Sequence, residues 1–221
     1  MRFVQFRNGR AWDLAAAMPL VGMSFFGAAG FAILIFRQWP SGRDGIAILV
    51  TVSEACSAAF LIFQGILLLV RRLPVAKAQG LAPRIWAFIG ANFALVVVLT
   101  PKAILTPALT VASSALILFG TAGAIFTLRS LGRSFSVFPQ ARKLVTSGPY
   151  KAVRHPLYVA EQVSAFGLAL QYRQPWGLLI VSIALLLQFP RMLYEEKVLE
   201  TTYASYGDYK TRTARLIPFL F

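Results

Sequence analysis

Residues 154–199 read RHPLYVAEQVSAFGLALQYRQPWGLLIVSIALLLQFPRMLYEEKVL, and this stretch decides the fold. It contains two apolar runs, residues 157–170 and 176–193, joined by a short polar connection. Both runs are too long for ordinary strands and are flanked by charged residues, so the pattern predicts two helices that form a hairpin. The polar residues before the first run and after the second therefore meet at the same end of that hairpin.

Outside the hairpin, the rest of the chain is also dominated by apolar runs. Four apolar runs precede the hairpin. The second and fourth, residues 46–70 and 104–128, exceed the roughly 20 residues that a helix needs to cross a bilayer, and the third, residues 85–100, is short for a span. The chain is 57% hydrophobic and 14% charged, with a mean hydropathy of +0.67, whereas soluble domains carry about 25% charged residues. We predict an all-α, polytopic transmembrane bundle of about six spans. It forms a single domain, residues 1–221, with N-terminal transmembrane helices in 1–130 and a C-terminal functional region in 131–221. The runs before the hairpin are residues 14–36, 46–70, 85–100 and 104–128.

The basic residues predict the orientation of the bundle. With six spans and a cytoplasmic N-terminus, 18 Lys and Arg residues lie on the cytoplasmic side and four on the other side, namely Arg37, Arg43, Lys102 and Arg173. Cytoplasmic loops of membrane proteins carry an excess of Lys and Arg, so this arrangement is favoured. We therefore expect an integral protein of the bacterial inner membrane, with both termini and its functional site on the cytoplasmic side.

Charge and composition also exclude other classes of protein. The net charge is +14, but the basic residues flank apolar runs, which indicates contact with the headgroups of the lipid bilayer and not with nucleic acid. Cys56 and His155 are the only residues of their types, so we predict neither a disulfide framework nor a metal site. No cleavable signal is expected, because the first apolar run continues to Phe36 and is too long for a signal core.

The first polar cluster, residues 142–158, reads RKLVTSGPYKAVRHPLY. Its SGP triplet predicts a turn, and Pro156 suits the first turn of the helix that follows. His155 then lies at a helix start, where backbone N–H groups favour an anion such as a cofactor carboxylate or phosphate. A second interpretation stays open, in which Arg154 and Lys151 contact lipid headgroups while His155 caps the helix.

The second polar cluster follows the second run of the hairpin. Arg191 and Glu195 are four residues apart and therefore share one face of a helix. In one interpretation they form a weak, solvated ion pair. In the other they form the wall of a site, where Arg191 binds an anionic group of an acceptor and Glu195 binds a hydrogen-bond donor of a cofactor. The convergence of the two clusters at one end of the hairpin favours the site. The Tyr-rich, basic tail, residues 203–221, predicts a helix over its mouth.

Two carboxylates lie inside apolar runs, where a charge is costly unless it meets a partner or a cavity. For Glu54 we favour an interhelical hydrogen bond over catalysis. Glu161 lies one helical turn after Tyr158, which makes it a candidate substrate contact. A purely structural role for Glu161 stays equally open.

Taken in order, these residues resemble the isoprenylcysteine carboxyl methyltransferase family, which includes phospholipid methyltransferases. The resemblance implies S-adenosylmethionine as the cofactor and methyl transfer to a lipophilic small-molecule or prenylated acceptor, above all the carboxylate of an isoprenylcysteine-like molecule. It covers residues 131–218. The pieces that carry it are KLVTSGPY at 143–150, RHPLY at 154–158, the helical hairpin, Arg191, EEKVL at 195–199 and LIP at 216–218.

The resemblance also implies roles for individual residues. The cofactor would bind between the segment 150–158 and the sixth helix, Arg191 would hold the acceptor's carboxylate, and Glu195 would bind the cofactor. Arg191 and Glu195 are thus the candidate catalytic residues. The motif match implies a cofactor wall of Arg142, Lys143, Leu144, Val145, Tyr150, His155, Pro156, Leu157 and Tyr158, together with Glu195.

Two departures from the family pattern keep an alternative in view. Ala160 stands where methyltransferases of this type often have Gly, and Glu161 stands where the related sterol and steroid reductases carry a Glu. Those reductases share the hairpin but bind NADPH. Against them, Leu157 stands where they usually have Asn, and the acidic pair Glu195-Glu196 replaces Asp-Glu. A methyltransferase is therefore favoured over an NADPH-dependent reductase, and a non-catalytic transporter or scaffold would leave the RHP cluster unexplained.

Overall fold

The structure is a computed structural model that describes residues 9–38 and 44–218, and nearly all of its regular structure is α-helical. This confirms the predicted all-α bundle. Three of the basic residues that predict the orientation of the bundle, Arg2, Arg7 and Arg43, lie outside the described residues. The elements are α1 (Arg10–Gln38), α2 (Gly45–Val70), β1 (Ala76–Lys77), α3 (Ala82–Asn92), α4 (Pro107–Leu131), β2 (Gln140–Ala141), α5 (Pro156–Leu170), α6 (Trp176–Thr202) and α7 (Tyr206–Arg212).

Among the described helices, five are long and apolar enough to cross a membrane: α1, α2, α4, α6, and α3 together with the 3-10 segment Phe93–Leu99 that continues it. Large apolar side chains such as Phe26 and Phe119 are more than two-thirds exposed on them, as expected where lipid replaces water. The architecture is that of an integral membrane protein. Helix α5, the fifth predicted span, has 15 residues and measures about 22 Å, less than the ~30 Å of a hydrocarbon core. The number of spans therefore stays a prediction.

Two hydrogen bonds between polar side chains join α1 to α2. Gln38 Nε2 donates a hydrogen bond to Glu54 Oε1 at 3.2 Å, and Ser24 Oγ donates to Gln64 Oε1 at the same distance. Such bonds between helices satisfy polar groups that lipid cannot solvate. The interhelical hydrogen bond predicted for Glu54 is thus present.

The loops sort into two ends of the bundle. At the first end, β1 follows α2, β2 follows α4, and the two strands pair antiparallel. The tail joins this end through a bridge between Val153 and Ala214. At the opposite end, Lys102 pairs with Tyr172 and so joins the loop before α4 to the hairpin connection. These are the two groups of loops that the basic residues predict, and we call the first of them the loop-rich end.

Close packing between α4 and α5 positions the start of α5. A Cβ built on Gly120 of α4 would lie 2.4 Å from the backbone nitrogen of Ser164. A Cβ on Gly167 of α5 would lie 2.8 Å from the backbone nitrogen of Ile117, and Ser113 Oγ donates to the Gly167 carbonyl at 2.8 Å. Small residues let membrane helices approach this closely.

Candidate active site

A cavity at the loop-rich end collects most of the residues that the sequence singles out. Its walls come from the segment between α4 and α5, the first turn of α5, the C-terminal part of α6, and α7. It holds about 810 Å³ of empty space, counting the open solvent at its mouth. The predicted residues that line it are Arg142, Lys143, Leu144, Val145, Tyr150, His155, Leu157, Tyr158, Arg191 and Glu195.

Three side chains from α5 and α6 form the polar centre of this cavity. Tyr158 Oη donates a 2.6 Å hydrogen bond to Glu195 Oε1. The guanidinium carbon of Arg191 lies 4.5 Å from the centroid of the Tyr158 ring, and Arg191 Nε lies 3.7 Å from Glu195 Oε1. The cation–π contact and the short hydrogen bond fix the three side chains relative to one another. Arg191 and Glu195 share a helix face, as predicted, and this face lines the cavity.

Arg191 is buried without being fully hydrogen-bonded. Only 3% of its side chain is exposed, yet within the described part of the chain its Nε and Nη1 atoms have no hydrogen-bond partner. An unpaired donor on a buried charged group costs free energy, so such a group favours a ligand that accepts from it. The side chain of Glu195 is 20% exposed. The polar centre therefore offers free donors beside an accessible carboxylate.

Glu196, the second member of the acidic pair, lies in a different environment. Its Oε1 accepts hydrogen bonds from Arg154 Nε at 2.9 Å and from Arg215 Nε at 3.0 Å. His155 Nε2 lies 3.1 Å from the same oxygen. Only 4% of the Glu196 side chain is exposed. Glu196 thus connects α6 to the start of α5 and to the tail, while Glu195 faces the cavity.

His155 immediately precedes α5, as the sequence predicts, but its side chain makes no capping hydrogen bond. Its ring lies beside that of Tyr158, with the centroids 5.2 Å apart, and its Nδ1 is 4.0 Å from Glu195 Oε2. The imidazole therefore links the acidic pair to the cavity wall. Arg154 also donates to the carbonyls of Lys210 and Thr213 in the tail, so its partners belong to the protein.

The wall opposite α6 depends on a turn and on α7. Gly148 has a φ of 63°, and a Cβ there would lie 2.8 Å from Ser130 Oγ, so this turn requires glycine. The turn leads to Tyr150, whose carbonyl accepts a 2.8 Å hydrogen bond from Tyr209 Oη of α7. Burial raises the pKa of Tyr209 to about 12. Tyr206 and Tyr209 both line the cavity, so the helix predicted in the tail corresponds to α7 and forms part of the cavity wall, while its position over the mouth stays a prediction.

Two of the predicted site residues are absent from the cavity wall. Pro156 is buried in the first turn of α5 and forms part of the backbone that carries the wall. Glu161 is also on α5, and its electrostatic neighbours are Arg191 and Glu195. It therefore influences the polar centre without lining the cavity.

Two aromatic side chains of the cavity lining are not among the residues that the sequence predicts. Phe135 and Phe138, in the segment between α4 and β2, line it together with Leu199 of α6. Phe135 is only 1% exposed. The available signal was the FSVF tetrapeptide at 135–138, an apolar piece in an otherwise polar connection directly before the first cluster.

Two curated proteins similar to this chain are described as metal-resistance proteins. The nickel-cobalt-cadmium resistance protein NccN of Alcaligenes xylosoxydans xylosoxydans is 33% identical over 113 residues, covering 49% of this chain and 52% of the relative. The cobalt-zinc-cadmium resistance protein CzcN of Cupriavidus metallidurans is 30% identical over 99 residues, covering 42% of this chain and 46% of the relative. The chain thus spans about half the length of the curated relatives it matches. Within residues 9–38 and 44–218, no group of three or more His, Cys, Asp and Glu residues is arranged to hold a metal ion.

A family comparison covers the elements that build the cavity. Residues 108–206 match the sequence model of the family described as phospholipid methyltransferase. The match runs from α4 to the start of α7 and includes Tyr158, Arg191 and Glu195. This match confirms, over residues 108–206, the family resemblance predicted from the ordered motifs.

Proposed function

We propose that this chain is a membrane-embedded, S-adenosylmethionine-dependent methyltransferase that acts on a lipophilic acceptor, the carboxylate of an isoprenylcysteine-like molecule. The observation that carries the proposal is the buried Arg191, whose Nε and Nη1 find no hydrogen-bond partner among the described residues, beside the accessible carboxylate of Glu195. A guanidinium with free N–H groups matches a carboxylate in both shape and charge. The family match over residues 108–206 supports methyl transfer as the reaction.

The residues of the cavity fit S-adenosylmethionine. The cofactor carries positive charge on its sulfonium and ammonium groups, and Glu195 offers a carboxylate that is 20% exposed. Its adenine ring needs an apolar surface, which Leu144, Val145 and Leu157 provide on the cavity wall. In this assignment Glu195 binds the cofactor. The rest of the wall that holds it comprises Arg142, Lys143, Tyr150, His155 and Tyr158.

Bound S-adenosylmethionine would supply a methyl group that its sulfonium charge has already activated. A carboxylate acceptor needs no general base, so the protein contributes position and the exclusion of water. Arg191 binds the acceptor's carboxylate and orients it. Tyr158 holds Glu195 through the 2.6 Å hydrogen bond, and Tyr206 of α7, which is 1% exposed, covers the cavity against water.

The surroundings of Arg191 support a lipophilic acceptor. A Cβ built on Gly90 of α3 would lie 3.5 Å from Arg191 Cδ, so Arg191 packs against α3, and a second depression lies between α3 and α6. A lipophilic acceptor reaches Arg191 sideways from the bilayer. The water-soluble cofactor arrives from the aqueous side, which we assign to the bacterial cytoplasm. The residues that line this second depression, between α3 and α6, are Trp86, Pro190, Leu193, Tyr194 and Lys197.

Titration calorimetry of the full chain in detergent tests the cofactor, with S-adenosylmethionine and NADPH in separate experiments. We expect S-adenosylmethionine to bind with a micromolar Kd. Glu195→Ala should weaken binding about ten- to hundredfold, because it removes a charge-assisted contact. Tyr158→Phe should weaken it less, since it removes only the hydrogen bond that holds Glu195. Glu200→Ala is the matched control, because Glu200 is half exposed on the same helix and pairs with Lys210 outside the cavity.

The alternatives give different results in the same titrations. Binding of NADPH without S-adenosylmethionine would overturn the proposal and favour a reductase, with Glu161 and Tyr158 as its candidate polar groups. Binding of neither compound would favour a non-catalytic transporter or scaffold. A Glu200→Ala effect as large as that of Glu195→Ala would contradict the assignment of Glu195 to the cofactor.

The acceptor is tested by transfer of a radiolabelled methyl group to a prenylcysteine analogue and to the same analogue with its carboxylate replaced by a carboxamide. We expect only the carboxylate compound to be methylated. Arg191→Lys should raise KM for the acceptor, because a lysine amine cannot reproduce the two parallel hydrogen bonds of a guanidinium. Equal methylation of both compounds would exclude the carboxylate as the methyl acceptor.

A further inference from the structure

A group of charged residues around Asp13 lies beside the cavity, and the proposed methyl transfer gives a role only to its member Arg142, which is part of the cofactor wall. Asp13, in the first turn of α1, accepts a hydrogen bond from Arg71 Nε at 2.9 Å. Arg142 Nη2 donates to both of its carboxylate oxygens, at 3.1 and 3.2 Å, and Lys77 Nζ lies 3.7 Å from Oδ1. These four residues, the Asp13 cluster, connect the start of α1, the end of α2 and the segment after β2.

The cluster carries an excess of positive charge. Three cations surround one carboxylate, and the side chains of Arg71 and Arg142 are 2% and 0% exposed. All eight acidic side chains of the chain lie within the described residues. Of these, only Asp13 forms ion pairs with members of the cluster. No second acidic side chain therefore balances the cluster within the described part of the chain.

The cluster is also incompletely hydrogen-bonded. Arg71 Nη1 and both Nε and Nη1 of Arg142 are buried and have no hydrogen-bond partner among the described residues. Burial lowers the pKa of both guanidinium groups. Burial also lowers the pKa of the Lys77 amine, and repulsion from Arg142, Arg71 and Arg84 lowers it further. Buried charges are stable in proteins when they are paired, so these cations favour an additional anion.

We propose that the Asp13 cluster binds a phosphate group, through the free N–H groups of Arg71 and Arg142 and the charge of Lys77. A phosphate group offers several acceptor oxygens, which suits two guanidinium groups that both donate to Asp13 and each keep further N–H groups without a partner among the described residues. The uncompensated charge of the cluster, two positive units, is comparable to that of a phosphate monoester at neutral pH. A single carboxylate ligand would balance only half of it.

The position of the cluster fits two sources of a phosphate group, a phospholipid headgroup and a free phosphate anion. Arg71 and Arg142 are buried, so Lys77, whose side chain is 23% exposed, is the member of the cluster through which a phospholipid headgroup gains access. Arg142 also lines the open cavity together with Gln140, which gives access to a free phosphate anion. Arg142 directly precedes Lys143, Leu144 and Val145 of the cavity wall. A bound phosphate group would therefore stabilise that wall, whichever methyl acceptor the chain uses.

Thermal unfolding of the full chain tests the site in two arms. In detergent, sodium phosphate is titrated against sodium chloride at constant ionic strength. In the second arm the protein is held in phosphatidylcholine nanodiscs with or without phosphatidylglycerol, in phosphate-free buffer. We expect a saturable rise of Tm with phosphate. If headgroups occupy the site, phosphatidylglycerol produces the rise and added phosphate then has no further effect. Absence of a rise in both arms would overturn the proposal.

Substitutions separate the site from general charge attraction. Lys77→Gln should weaken phosphate binding about three- to tenfold while preserving the fold, because Lys77 is partly exposed and pairs at longer range. Asp13→Asn should lower Tm in the absence of phosphate, because it leaves two buried arginines without their carboxylate, and should increase the rise of Tm that phosphate produces. Lys151→Gln, an exposed lysine at the same end of the bundle, is the matched control. Equal weakening by Lys77→Gln and Lys151→Gln would contradict a specific site.

Discussion

At the scale of single residues, the adjacent carboxylates of Glu195 and Glu196 have separate tasks. Successive helical positions are rotated by about 100°, so neighbouring side chains face different partners. The four-residue spacing from Arg191 predicted which face Glu195 occupies. It did not reveal that Glu196 meets Arg154 and Arg215, because contacts between distant parts of the chain leave no local pattern.

This separation predicts opposite effects of two similar substitutions. Glu196→Gln removes a buried charge that two arginines and His155 share, so it should destabilise the protein by about 3 kcal/mol. Glu195→Gln should leave stability nearly unchanged and weaken S-adenosylmethionine binding. Thermal unfolding and calorimetry on the same preparations measure both. If Glu195→Gln proved the more destabilising of the two, the assignment of Glu196 as the structural residue would be wrong.

At the scale of elements, the helical hairpin was the most predictable part of the fold. The apolar runs 157–170 and 176–193 correspond to α5 and to the first two-thirds of α6. Helix α6 continues to Thr202 because residues 194–202 include good helix formers, although they are too polar to extend the apolar run. The Asp13 cluster could not be predicted, since Asp13 and Arg142 are 129 residues apart. Hydropathy also placed the start of the first helix at residue 14, after Asp13, whereas α1 begins at Arg10.

The contact between α4 and α5 can be tested with two glycines of α4. Gly120→Ala places a Cβ 2.4 Å from the backbone nitrogen of Ser164, so the helices must separate, and a loss of about 1–3 kcal/mol is expected. Gly123→Ala is the control, because its Cβ would meet only the Ala160 side chain, at an ordinary 3.5 Å. Thermal unfolding in detergent measures both variants. Equal stability of the two would show that α4 and α5 pack less closely than the structure indicates.

At the scale of the whole molecule, the fold brings the loops together as the distribution of basic residues predicts. The loops after α2 and α4 and the tail share the loop-rich end, whereas Lys102 and the hairpin connection share the other. The basic residues predicted the grouping because charge and the crossing of a membrane are coupled over the whole chain. They also predict which end faces the cytoplasm. That prediction requires each of the six predicted spans to cross the membrane, and α5 is the shortest of them.

Cysteine labelling in intact bacterial cells tests this orientation. In a Cys56→Ala background, Lys151→Cys reports on the loop-rich end and Arg173→Cys on the opposite end, since both positions are exposed. A membrane-impermeant maleimide should label Arg173→Cys in intact cells and Lys151→Cys only after permeabilisation. The reverse pattern would place the cavity outside the cytoplasm, where S-adenosylmethionine is not made, and would contradict the proposed cofactor. Protection of both positions in intact cells would mean that α5 does not cross the membrane. In that case the hairpin would enter and leave on one side, and Lys102, which bridges to Tyr172, would be protected with it.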